Sequence, residues 1–103
     1  RVPVFYGHSE AVQVETHAEI SEDSVRALLS KTKGVKVIDE RVDGGYPTAV
    51  KHASGEDPVF VGRIRKDISM ANGMNLWIVS DNVRKGAALN SVQIAEVLIK
   101  SYL

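Results

Sequence analysis

The chain has 103 residues, 44% hydrophobic and 25% charged, and its thirteen basic residues balance thirteen acidic ones. This is the composition of one soluble globular domain with a modest core, and the absence of a clustered charge excludes the footprint of a nucleic-acid or membrane-surface binder. Cysteine is absent, which excludes disulfides, thiolate metal sites and a cysteine nucleophile within this stretch.

No apolar run approaches the roughly 20 residues needed to span a bilayer, so the expectation is a soluble protein, with cytoplasm the favoured compartment. The opening stretch "RVPVFYGHSE" starts inside what reads as a strand, without a leader, and suggests a segment cut from a longer protein. Residues 2–6 are β-branched and aromatic around Pro3 and predict an edge or bulged strand. Gly7, His8 and Ser9 predict a turn, and "AVQVETHA" alternates as a second strand. Ser21 is the predicted N-cap of a helix that carries Glu22 and Asp23 at its positive end and Val25, Leu28 and Leu29 on one stripe. Lys31, Lys33 and Gly34 close it. "VKVID" predicts a short strand.

Residues 40–58 turn to Gly, Pro, Asp and Ser and predict a long loop of the kind that carries function or meets a partner. "PVFVGRIRKD" and "MNLWIVSDN" predict two strands joined by the turn "ISMANG". After Asp81 the period becomes helical, with Ala88, Val92, Ala95, Ile99 and Tyr102 on one stripe of about four turns. The order ββαβ, loop, ββα predicts an α+β fold, a mixed and largely antiparallel sheet with helices packed on one side. One sheet face, or the stripe of the last helix, is left needing a partner.

Three residues are candidates for chemistry. His8, at a glycine turn beside a strand end, either acts as acid and base near neutral pH or makes one surface hydrogen bond. Arg1 either grips a carboxylate or phosphate through paired hydrogen bonds or is a solvated edge arginine. Asn82, between a strand and the last helix, either caps that helix, the default, or reaches into a cleft. His17 and His52 read as bland, Arg63 and Arg65 as the polar face of a strand. The pairs Glu22/Asp23 and Glu56/Asp57 lack metal-ligand spacing to a histidine, and no phosphate-binding glycine motif occurs.

Taken together, "RVPVFYGHSEAV", "GGYPTAV", "DPVFVGRIRKD" and "NLWIVSDNVRKGAALNSVQIAEVL" resemble, in the same order, the C-terminal part of bacterial aspartate-β-semialdehyde dehydrogenases. The resemblance implies that residues 1–103 are a C-terminal segment of the dimerisation and catalytic domain, of the glyceraldehyde-3-phosphate-dehydrogenase-like type. The N-terminal NADP-binding domain and the catalytic cysteine are expected outside it. The implied reaction reduces β-aspartyl phosphate to aspartate β-semialdehyde with NADPH and releases phosphate, on the route to lysine, threonine, methionine and diaminopimelate. The enzymes are homo-oligomers, at least dimers. His8 in "GHS" matches the proton-transferring histidine, Arg1 the arginine on the substrate's α-carboxylate, and Asn82 an amide near the nicotinamide. The last helix is implied to pack on the N-terminal domain, and the segment alone is expected to be inactive. The alternatives are an N-acetyl-γ-glutamyl-phosphate reductase-like enzyme and a non-catalytic dimerisation or interaction paralogue.

Overall fold

A computed structural model describes residues 2–103; Arg1 lies outside the described residues. Four strands form one sheet: β1 (His8–Glu15), β2 (Val35–Val37), β3 (Val59–Lys66) and β4 (Gly73–Ser80), in the order β1-β4-β3-β2. The central pair β3 and β4 is antiparallel, β1 joins β4 antiparallel with His8 opposite Ser80, and β2 joins β3 parallel at the far edge. The α+β class and the mixed, largely antiparallel sheet are as expected from the sequence.

Helix α1 (Glu22–Lys31) forms where its signals place it. Ser21 Oγ accepts the Ser24 N–H at 3.1 Å, and acidic residues occupy the first turn. The Thr32 hydroxyl donates to the Leu28 carbonyl at 2.9 Å, and Gly34 turns the chain away at φ +80°. Val25 and Leu29 of α1 pack on a core of Val61, Ile64 and Met74, covering one sheet face. On the other face Phe60 and Val79, opposite one another in the ladder, meet Ala49 and Ala53. These alanines sit on a wide helical turn, Ala49–Ala53, closed by the Ser54 N–H on the Ala49 carbonyl at 2.9 Å. The predicted loop 40–58 is therefore broken by one helical turn that packs on the sheet.

Residues 2–6 are not a strand. The Val4 N–H donates to the Val2 carbonyl at 2.9 Å, a three-residue turn about Pro3 that the ring's fixed φ favours, and Phe5 stands in solvent. His8 and Ser9, expected in a turn, begin β1 instead. The last helix, α2 (Leu89–Ser101), follows a second wide turn, Arg84–Ala88, and buries none of its residues. An open cleft of about 530 Å³, lined by Val35 and Val59 on one side and Gln93 and Val97 on the other, separates it from the β2 edge. Of the helices, then, α1 packs on a sheet face and α2 stands off.

Candidate active-site edge

One end of the sheet collects the candidate residues. Gly7 enters β1 at φ +79°, a left-handed conformation that suits glycine. A Cβ there would lie 3.1 Å from the Ala49 Cβ and 3.3 Å from the Ser80 carbonyl oxygen, so the turn is pressed between the wide turn and β4. The next residue, His8, is 40% exposed at its side chain, with Nε2 3.1 Å from Glu10 Oε1. The two side chains meet because residues two apart on a strand share a face.

Opposite His8 the chain leaves β4 through Ser80, Asp81 and Asn82, which brings His8 and Asn82 to the same end of the sheet. The expected cap by Asn82 is not made, and no side chain caps α2; Asp81 instead holds the turn that leads into Arg84–Ala88. Its Oδ1 accepts the Val83 N–H at 2.9 Å and the Arg84 N–H at 3.1 Å, and its Oδ2 accepts the Gly55 N–H at 2.8 Å. The Gly55 bond, then that from Arg84, holds the Asp81 carboxyl below the ordinary carboxylate range. An aspartate side chain reaches N–H groups two and three residues ahead, so the "SDN" order already carried this signal. The Asn82 side chain is left at the exposed surface beside that turn.

The other titratable candidates have structural partners. His52 Nδ1 accepts the Thr48 N–H at 3.0 Å and its ring tilts against Phe60, 6.1 Å between centroids; this histidine braces the wide turn. Glu22 accepts the Lys66 N–H at 2.9 Å, and Asp57 pairs with Arg84. No group of three or more metal-ligating side chains occurs among the described residues.

Arg63 and Arg65 depart from a regular strand face. The register passes from Gly62 opposite Trp77 to Arg65 opposite Asn75, so Arg63 and Ile64 together stand against one residue of β4 as a bulge. Arg63 adopts φ +53°, rare for a residue other than glycine. The peptide groups of buried Ile64, freed from the ladder by the bulge, are held by side chains that the sequence does not show to be neighbours. Asp39 Oδ1 accepts the Ile64 N–H at 3.2 Å, while the Ile64 carbonyl accepts from Arg26 at 3.1 Å and Arg41 at 3.4 Å. Arg26 is held protonated still more firmly than usual, chiefly by its hydrogen bond to Asp39.

Residues 1–85 match the family described as "Semialdehyde dehydrogenase, dimerisation domain". The chain is 58% identical over 102 residues to an aspartate-semialdehyde dehydrogenase of Shewanella violacea, and 59% identical over 103 residues to one of Legionella pneumophila, covering 99% and 100% of itself. It superposes at a TM-score of 0.89, with 53% identity and complete coverage, on aspartate semialdehyde dehydrogenase II of Vibrio cholerae complexed with ASA. It spans about 30% of the length of each of these relatives. The chain belongs to the semialdehyde dehydrogenase dimerisation-domain family, and the expected kinship is thereby borne out.

Proposed function

We propose that residues 1–103 are the C-terminal segment of an NADP-dependent aspartate-semialdehyde dehydrogenase and supply part of its active site and of its subunit contacts. The observation that carries this reading is identity above 50% along the full chain with enzymes of that name, joined to a matching fold. The substrates are β-aspartyl phosphate, or aspartate semialdehyde and phosphate in reverse. The enzyme is a homo-oligomer, at least a dimer, and works in the cytoplasm in amino-acid biosynthesis.

His8 is the acid and base. As a cysteine sulfur elsewhere in the polypeptide bonds to the acyl carbon and phosphate departs, the imidazole takes the thiol proton. It returns that proton to the carbonyl oxygen as the carbon is reduced, then passes it from oxygen to sulfur as the C–S bond breaks, which releases the aldehyde and restores the thiol. Arg1 holds the substrate's α-carboxylate through two parallel N–H···O bonds, keeping the reacting carbon near His8. When bound, NADPH supplies the hydride. This segment fits only the edge of that cofactor: Asp81 holds the turn after β4, and the Asn82 amide stands exposed near His8's end of the sheet, able to meet a carboxamide. Its glycines serve turns and close backbone crossings rather than a phosphate cradle.

The test is a chimera in which this chain replaces the matching segment of the Shewanella violacea enzyme. Phosphate-dependent reduction of NADP by aspartate semialdehyde, lost on His8→Ala, is the expected result. A folded chimera without activity overturns the reading.

A further inference from the structure

Three segments meet at the end of the sheet that carries His8 and Asn82: the Gly7 turn into β1, the wide turn Ala49–Ala53 with the loop behind it, and the exit from β4. The first two touch, because a Cβ on Gly7 would lie 3.1 Å from the Ala49 Cβ. The second and third are joined by Asp81. Its Oδ2 accepts the Gly55 N–H at 2.8 Å, 26 positions away in sequence, while its Oδ1 accepts the Val83 N–H at 2.9 Å and the Arg84 N–H at 3.1 Å. Arg84 adds a second tie to the same loop, its Nε donating to Asp57 Oδ1 at 2.6 Å. The Ser54 N–H, one residue before Gly55, closes the wide turn on the Ala49 carbonyl at 2.9 Å. The path from Gly7 through Ala49, Ser54 and Gly55 to Asp81 is therefore unbroken, and it links the residue before His8 to the residue before Asn82.

Asn82 itself is exposed, yet its backbone is spanned on both sides by the bonds of Asp81. An amide on a backbone fixed in this way keeps one direction without the entropy cost of ordering a loop when a ligand arrives. We propose that Asp81 is a positioning residue for the cofactor, acting through Asn82: its tie to Gly55 and its local turn together hold the Asn82 amide at a set place relative to His8. The assignment rests on the position beside the nicotinamide proposed above for Asn82 and names what keeps the amide there. The role needs a carboxylate, because N–H donors from two segments converge on residue 81 and both of its oxygens must accept. An asparagine can satisfy the local N–H groups but turns its own NH₂ towards Gly55. A serine lacks the second oxygen altogether.

The experiment uses the chimera described above and its variants Asp81→Asn, Asp81→Ser, Asn82→Ala, and Asp81→Asn with Asn82→Ala. Each is checked for fold by circular dichroism, and NADP binding is measured by calorimetry. Asp81→Asn, Asp81→Ser and Asn82→Ala should each weaken binding by about tenfold, the worth of one hydrogen bond. The double variant should bind no more weakly than Asn82→Ala alone, because both changes remove the same interaction. Losses that add would make Asp81 merely structural and overturn the proposal. Unchanged binding in folded Asp81→Asn or Asp81→Ser, beside weakened binding in Asn82→Ala, would overturn it as well. Unchanged binding in Asn82→Ala would overturn the place of Asn82 at the cofactor and this proposal with it, while the activity of the chimera tests the enzyme reading separately. A second measurement needs no cofactor. In hydrogen exchange followed by mass spectrometry, the peptide that holds Gly55 should lose protection in both Asp81 variants, and equal protection would show that the tie is not made and sink the proposal.

Discussion

Arg26 Nε lies 2.6 Å from Asp39 Oδ2, and the same two side chains hold opposite ends of the Ile64 residue, Arg26 its carbonyl and Asp39 its N–H. One ion pair joins α1, the segment after β2 and the bulge of β3. Asp39 is almost wholly buried, and removing a partner from such a pair leaves a charge without compensation. Arg26→Ala or Asp39→Ala should cost about 3 kcal/mol in urea unfolding, and the double variant less than the sum of the two. Additive losses below about 1 kcal/mol would show that the bulge does not need the pair.

Asp67 contributes to the acid end of the stability curve, together with Glu19 and Asp81, whose carboxyls are also held low. The Ser69 hydroxyl and N–H, at 2.6 and 2.7 Å, and then the Gln13 amide lower the Asp67 pKa from 3.8 to about 2. A carboxylate whose folded pKa lies below its unfolded one stabilises the fold above the unfolded value. That stabilisation is lost as pH falls from 3.8 towards 2. The urea midpoint should drop across this window, and Asp67→Asn should flatten the drop; an unchanged slope would refute the assignment.

In the active chimera, His8→Ala should lower kcat by about 10² to 10⁴-fold with little change in KM. A loss within tenfold would remove His8 from the proton transfer.

Arg1→Lys replaces a planar fork by a point charge and should act mainly through a raised KM. An unchanged KM would place Arg1 away from the substrate.

The chain alone should show no micromolar affinity for NADP(H) by calorimetry, because its glycines sit at turns and crossings instead of cradling a pyrophosphate. Tight binding would relocate the cofactor site into this segment.

Local signals in the sequence were faithful where the physics is local. Ser21, the acidic first turn and Gly34 bracket α1 because capping involves residues three or four apart. The alternation around "ISMANG" yields the β3–β4 pair for the same reason. The bulge at Arg63 was illegible. "GRIR" reads as a regular strand, and the groups that hold Ile64 come from Arg26, Asp39 and Arg41. Residues 2–6 were misread because β-branched composition outweighed the turn preference of Pro3. At the candidate site, the placing of His8 and Asn82 at one end of the sheet required the β1–β4 register, a long-range pairing that no local pattern encodes.

That register also sets an order of assembly. The β3–β4 hairpin closes over a short turn, whereas β1 meets β4 only through pairings far apart in sequence, the nearest being Glu15 with Gly73. Closing so long a loop costs entropy that a hairpin does not pay. During synthesis β1 emerges early and waits without its strand partner until β4 has left the ribosome. In pulse-labelled hydrogen exchange during refolding, amides of residues 59–66 and 73–80 should therefore gain protection before those of residues 8–15, and the histidine proposed to move protons is among the last residues to reach its place.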